Sequence, residues 1–346
     1  MTTINIDFAA LITANYPNKK TADAYLARLR KLKEVCDNAE YSAIIANPDT
    51  YYDKLRAKYP NVSTRKNMLT LILAIFKFSE ALRDQLKPQH ARWKKFHDDM
   101  DGFQEAKARK NMPDVKQITK YTPMEEIRLK YEEMKAGDPH ATRQASLHFV
   151  LLSICLTTPP KRSDYGSMYI YRDHDPNLKD ANYIVFHSAN NANNANNANN
   201  AKATKAVPSP SYMVFTVFKT NKKYKRVDEV LNRQLYRDLS DSLRRHPRDY
   251  LFVNRYGNPF KNNSLFSQYM IKTFDKIFGR KTGVTMMRHI YITEELDFNE
   301  LSIDERMDIA KQMMHTKGLQ DKYAWNKKKI CAAMAKLCDD CHDKTE

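Results

Sequence analysis

The chain is poor in glycine, with 7 in 346 residues, while lysine, leucine, alanine and methionine are plentiful. That balance favours helices, because glycine is costly inside them and the abundant residues are good helix formers. Cysteine is also sparse. Five of them, an odd number without framework spacing, exclude a disulfide scaffold and predict free thiols in a reducing, intracellular compartment. No apolar run reaches the roughly 18 residues needed to cross a bilayer. The longest, Met68 to Phe76 and Phe149 to Cys155, fit core helices. The first residues lack the basic start and apolar stretch of a signal peptide.

What the chain has in excess is positive charge: 58 Lys and Arg stand against 41 Asp and Glu, a formal net charge of +17. Such a surplus implies a polyanionic partner, either nucleic acid or an anionic membrane surface. The basic residues alternate with apolar stripes throughout and form no single anchor, which disfavours the membrane. With 42% hydrophobic residues there is material for real cores, and the length suits two domains.

Apolar positions from Lys19 to Cys36 recur at a helical period, with Asn18 or Thr21 as cap. Pro48, after Asn47, suits a first helical turn, with Tyr51, Leu55 and Tyr59 as the buried stripe that follows. Ser63 and Thr64 are placed to cap a helix carrying Leu69, Ile72, Leu73, Ile75 and Phe76. Another helix carries Trp93, Phe96, Met100 and Phe103. The polar, basic stretch from Lys107 to Lys120 marks a boundary, giving domains at 1–115 and 116–346.

The second part opens with helices near Met124 to Met134 and Arg143 to Cys155. Tyr183 to Phe186 and Tyr212 to Phe218 are β-branched and aromatic, and read as strands. Between them, Ala-Asn-Asn repeats four times from Ala189 to Asn200. Such polar triplets cannot build a core, so 189–206 is expected to be a low-complexity loop. Helices resume after Leu231, interrupted by Tyr250-Leu251-Phe252-Val253 and a turn at Tyr256-Gly257-Asn258-Pro259.

Three motifs in this part carry chemistry. Thr158-Pro159-Pro160-Lys161-Arg162-Ser163-Asp164-Tyr165 follows an apolar helix. Val217-Phe218-Lys219-Thr220-Asn221-Lys222-Lys223-Tyr224 ends a strand. Val284-Thr285-Met286-Met287-Arg288-His289 is followed by Met314-His315 and then Tyr323. In this order, Arg, Lys, Arg-His, His and Tyr, the chain resembles the tyrosine recombinase (phage integrase) superfamily. The Pro-Pro-Lys-Arg-Ser-Asp-Tyr form and Ser63-Thr64-Arg65-Lys66-Asn67 look most like the integrases of large DNA viruses. The resemblance runs from about Lys19 to Trp325. It implies a mainly α fold with a small β-sheet: an N-terminal helical, SAM-like core-binding domain and a C-terminal mixed α/β catalytic domain. It also implies double-stranded DNA as partner, a tetramer on that DNA, no cofactor and no metal. The expected setting is the host nucleus, a viral factory or the virion.

The chemistry explains those residue types. A phosphodiester under attack gains negative charge on two nonbridging oxygens, which two always-charged guanidiniums, Arg162 and Arg288, can clamp. The leaving deoxyribose oxygen needs a proton, which Lys219 would give. Tyr323 would be the nucleophile, forming a phosphotyrosine ester that needs neither nucleotide nor metal to reverse. The chain departs from the family in having Thr285 where His or Lys is common, Met314 where Gly is common, and an eight-position step from His315 to Tyr323. With Thr285 unable to act as a base, proton transfer is expected to fall to His289, His315 or water. Arg28, Lys31, Arg65, Lys66, Lys222 and Lys223 are expected to face DNA phosphates, contributing affinity rather than base specificity. Two rival readings are a type IB topoisomerase-like enzyme and a DNA-binding protein with a decayed site. Cys338-Asp339-Asp340-Cys341-His342 matches a haem-attachment pattern. It is read instead as part of a helical apolar stripe with Ile330, Met334 and Leu337, able to dock on a neighbouring protomer as the terminal helix of relatives does.

Overall fold

The structure, a computed structural model, describes residues 6–109, 112–187 and 210–342, with side chains described for 6–106, 112–187 and 210–336. The expected loop at 189–206 and the Cys338 to His342 side chains lie outside those limits. The chain divides into two compact units, Met1–Lys110 and Asn111–Glu346. Among the described residues it is mainly helical, with one four-stranded sheet.

The first unit holds helices α1 (Phe8–Asn15), α2 (Lys19–Val35), α3 (Tyr41–Ala46), α4 (Pro48–Lys58), α5 (Val62–Phe78), α6 (Glu80–Gln85) and α7 (Lys87–Arg109). Helix α5 is its axis. Met68, Leu69, Leu71, Ile72, Ala74, Ile75 and Phe76 are all buried, covering most of its circumference, as in a helix packed on several sides. Trp93 of α7 is fully buried against it and donates its indole N–H to the Ile45 carbonyl at 2.9 Å. The cap of α5 is Asn61, not Ser63 or Thr64. Its Oδ1 accepts from the N–H groups of both, so those hydroxyl residues fall inside the first turn. Asn18 caps α2 through the Thr21 N–H. Pro48 opens α4, but the Asn47 side chain turns back to donate to the Ala43 carbonyl, closing α3 rather than capping α4. Phe103 lies on the open side of α7 and is exposed, unlike the stripe expected of it.

The second unit contains α8 (Val115–Ile118), α9 (Met124–Ala136), α10 (Arg143–Thr157), β1 (Tyr169–Arg172), β2 (Tyr183–Phe186), β3 (Tyr212–Phe215), α11 (Asn221–Tyr224), β4 (Val227–Val230), α12 (Arg233–Arg245), α13 (Asn263–Phe278), α14 (Val284–Glu294), α15 (Ile303–Gln312), α16 (Lys317–Tyr323) and α17 (Lys327–His342). The sheet order is β1-β2-β3-β4, with β1 parallel to β2 and the other pairs antiparallel. The second predicted strand stops at Phe215. Beyond it the Asn182 side chain replaces a neighbouring strand, accepting from the Thr216 and Val217 N–H groups and donating to the Val217 carbonyl. Strands β1 and β4 escaped prediction. Their alternating burial is weak, and each borrows its stability from a partner distant in sequence.

Helix α10 is the core element, buried without break from Ser146 to Cys155. Its two buried serines have partners: the Ser146 hydroxyl bonds to His140 and Ser242, and Ser153 donates to Asp238. Pro159 and Pro160 then forbid further helix, so the chain turns and delivers Lys161 and Arg162 beside α14. At the other end of the chain, Ile330 and Met334 of α17 pack on this unit's own core. Those two members of the predicted stripe are thus engaged within the chain, not free for a neighbour.

Candidate functional site

Helix α14 carries Arg288 and His289 on its buried face. Arg288 is only 1% exposed, and its Nη2 donates to the Met313 carbonyl. Besides that carbonyl the guanidinium has the Tyr323 side chain as a hydrogen-bond partner, but its buried Nε has none among the described residues, which is costly for a buried charge. Burial pulls its pKa down and the nearby Arg162 adds to that, while the Tyr323 oxygen opposes both. The guanidinium carbon lies 5.4 Å from the centre of the Tyr323 ring.

Tyr323 ends α16, half-buried, and is held along its backbone. The ring of His289 bonds through Nδ1 to the Tyr323 carbonyl at 2.8 Å and stacks on Trp325 at 3.8 Å. The Trp325 N–H donates to the Thr293 hydroxyl at 3.0 Å. His289 is therefore a bonded, buried imidazole, with its pKa pushed down to about 4 by burial first. Its hydrogen bond to the tyrosine is to the main chain, and its ring meets the Tyr323 ring edge to face at 4.8 Å.

His315 stacks on the Tyr323 ring at 5.7 Å and is wholly buried. Neither ring nitrogen has a partner. Burial, then the charges of Arg288 and Arg162, push its pKa down to about 3, so it is a neutral imidazole at pH 7. Its backbone is fixed by a Schellman motif that ends α15. The His315 N–H bonds to the Ala310 carbonyl and the Met314 N–H to Lys311. Met314 sits in the left-handed region at φ 54°, where glycine is the usual occupant. The strain of about 1–2 kcal/mol is offset by burying the methionine side chain, which is worth about 1.5–3 kcal/mol and is 1% exposed here.

The next link runs to the turn between β3 and β4. Thr220 donates to the Met314 carbonyl at 3.0 Å, and the Tyr224 hydroxyl to the His315 carbonyl at 2.8 Å. Three consecutive carbonyls, of residues 313 to 315, thus accept from Arg288, Thr220 and Tyr224. The same turn carries Lys219, exposed and without a hydrogen bond to any described group.

Arg162 is half-buried, and its guanidinium makes no hydrogen bond among the described residues. It acts on its surroundings through charge, lowering the pKa of His315, Arg288 and Asp164. The structure therefore gathers Arg162, Arg288, His289, His315 and Tyr323 into one cluster, with the Lys219 turn hydrogen-bonded to it.

Several neighbours carried no assignment from the sequence. Lys161, 1% exposed, forms an ion pair with Glu229 of β4 and donates to the Pro159 carbonyl at 2.9 Å. Burial lowers its pKa against the pull of Glu229. Asp164 is buried with Oδ2 unpaired, and burial raises its pKa to about 6 although both arginines oppose the rise. Lys161 and Asp164 flank Arg162 in one motif, which is the signal that could have found them. Glu229 carried none.

The predicted phosphate contacts differ among themselves. Lys222 and Lys223 lie exposed on α11, beside the cluster's turn, and Lys31 is exposed on α2. Arg28 lies over the Tyr25 ring at 5.0 Å. Arg65 donates to the Tyr59 carbonyl at 2.7 Å and to Pro60, tying down the end of α4. Lys66 pairs with Asp101. That pairing also neutralises the one described group with metal-like spacing, His97, Asp98 and Asp101.

No family profile matches the chain, and no curated protein matches it. Among solved structures it is similar to one described as the crystal structure of XerA recombinase, at 14% identity over 95% of both chains and a TM-score of 0.36. A likeness that loose carries no weight for fold or function.

Proposed function

We propose that this chain breaks and rejoins double-stranded DNA as a site-specific tyrosine recombinase, with Tyr323 as the nucleophile. The carrying observation is that buried polar atoms left unpaired by the fold lie beside this tyrosine, the Nε of Arg288 and both ring nitrogens of His315, with the half-buried charge of Arg162 close enough to act on both side chains. Buried polar atoms without partners are rare and costly, and a phosphate's oxygens would satisfy the donors among them together.

The Tyr323 oxygen attacks phosphorus as its phenol proton passes to the neutral His315 ring or to water, and the bond to the 5′ oxygen breaks, leaving a 3′ phosphotyrosine and a free 5′ hydroxyl. Arg162 and Arg288 hold the nonbridging oxygens as their charge grows. Lys219 gives the 5′ oxygen its proton; being exposed on a turn, it is free to reach it. His315 enters as a neutral hydrogen-bond donor, and the arriving negative charge raises its proton affinity. His289 positions the nucleophile through its backbone. Attack by a 5′ hydroxyl reverses the steps and rejoins the strand. The finer reading, an integrase of large-DNA-virus type acting as a tetramer in the host nucleus or a viral factory, rests on the sequence motifs alone.

A nicked suicide duplex traps the covalent product, visible on denaturing electrophoresis. Tyr323→Phe should form no adduct while keeping its fold and DNA affinity, since only one oxygen is removed. Mass spectrometry should find the phosphate on Tyr323. An adduct on another tyrosine, such as Tyr291, refutes the assignment, and no adduct from the unaltered protein supports the decayed-site reading. Relaxation of supercoils without a specific sequence would favour the topoisomerase-like alternative.

A further inference from the structure

The N-terminal end of α10 borders a groove whose lining residues are separate from the Tyr323 cluster. There the first turn of α10, the 253–261 turn and α13 enclose a cavity of about 930 Å³. Leu147, Val253, Phe260 and Tyr269 supply its apolar lining, and Tyr256 and Leu265 stand exposed at its margin. A second cavity of about 300 Å³ adjoins it, with Thr142 and Gln144 lining both.

Charge at this groove is of one sign. Arg143, Arg255, Lys261 and Lys272 line the larger cavity and Lys276 the smaller, and neither is lined by Asp or Glu. None of these five cations pairs with a carboxylate among the described residues. Lys130, which also reaches the smaller cavity, is paired with Glu133. Lys272 and Lys276 stand one turn apart on α13, one facing each cavity. Helix α10 has no acidic residue in its first turn, so its dipole adds to the positive field.

The wall is preformed. Asn254 accepts from the N–H groups of Tyr256 and Asn258, Gly257 takes φ 82°, and Arg143 donates to the Arg255 carbonyl at 3.2 Å. The Arg255 guanidinium lies over the Tyr256 ring at 4.6 Å. A rigid turn bearing an exposed aromatic ring resembles the hot-spot margin of a protein interface.

We infer that this groove docks an extended acidic peptide segment of a partner protein, with one bulky apolar side chain anchored in the larger cavity. The concave apolar lining gives a DNA duplex nothing to bind, because a rod of phosphates cannot enter it. The two joined cavities, with cations spaced along them, suit an elongated ligand rather than a compact anion. The inference is independent of the catalytic reading, since none of its residues belongs to the Tyr323 cluster.

The test uses the full chain and a fluorescein-labelled peptide of glutamates flanking one central phenylalanine, followed by fluorescence anisotropy. The unaltered protein should bind it saturably. Lys272→Glu with Lys276→Glu should weaken binding about tenfold or more. Gln268→Trp, which fills the larger cavity and leaves every charge in place, should weaken it to a similar degree. Both variants should keep their melting temperature and DNA adduct formation. Equal binding of a peptide with lysines in place of the glutamates overturns the proposal, as does no saturable binding up to about millimolar protein, or unchanged affinity in the double charge reversal. If duplex DNA displaces the peptide and the charge reversal lowers DNA affinity by the same factor, the groove serves nucleic acid and the proposal is wrong.

Discussion

Cations in the two units are treated differently. In the first unit, Lys66 is paired with a carboxylate and Arg65 donates through Nη1 to two backbone carbonyls, with only its Nε left over. In the second, Arg162 and Arg288 sit close enough to repel each other, and the fold leaves part of their hydrogen-bonding capacity unused. A charge already matched gains little from an incoming phosphate; an unmatched one gains most. Net charge therefore points to a polyanion, but the place where a polyanion is needed shows in the pairing, not in the count.

The contrast can be tested, first where it should be largest. Lys161→Met leaves Glu229 charged and without its buried partner, and should cost about 3–5 kcal/mol of stability by denaturant melts. Adding Glu229→Leu should recover most of that loss; if it does not, the pair is not the reason. Arg288→Ala should slow adduct formation by about a hundredfold or more, the cost of an unclamped transition state. Arg65→Ala should leave that rate nearly unchanged, and equal losses would erase the contrast.

A smaller effect depends on pH. Asp164 keeps its proton up to about pH 6 when folded, whereas its ordinary value is 3.8. The folded state thus holds a proton that the unfolded chain has released. Stability from this group is complete below about pH 4 and is lost as pH rises to about 6, by roughly 2–3 kcal/mol. The stability of the unaltered protein minus that of Asp164→Asn should fall across that window, and a flat difference would show that Asp164 is not held protonated. The smallest effect is expected from Lys66→Ala. Its partly exposed pair with Asp101 should be worth about 1 kcal/mol or less, detectable as a small shift in melting temperature.

Much of this was legible in the sequence, for identifiable reasons. Periodic apolar residues located α2, α5 and α10, because burial on one or more faces leaves its period in the chain. The motif residues Arg162, Arg288, His315 and Tyr323 were named from the sequence and meet in space, although the sequence alone does not show their orphaned donors. What escaped depends on distant partners. Glu229 is an ordinary strand residue until Lys161 lies against it. Strand β1 forms between β2 and the 249–250 segment, which bridges it from the other side. Asn61 outcompetes Ser63 and Thr64 as a cap because it sits one position before the helix, a difference finer than periodicity resolves. Arg65 and Lys66 read as open basic residues because nothing local reveals the carbonyls of Tyr59 and Pro60 or the carboxylate of Asp101.

The three pinned carbonyls at 313, 314 and 315 have one further consequence. Arg288, Thr220 and Tyr224 come from a helix and from the β3–β4 turn, and they meet on a stretch of three residues. Releasing any one of them removes about 0.5–1.5 kcal/mol from the seat of His315, and losing both bonds from the turn parts the turn of Lys219 from the segment that Arg288 holds. A lesion in the turn that removes both Thr220 and Tyr224 hydroxyls should therefore weaken a site whose cations lie on another element.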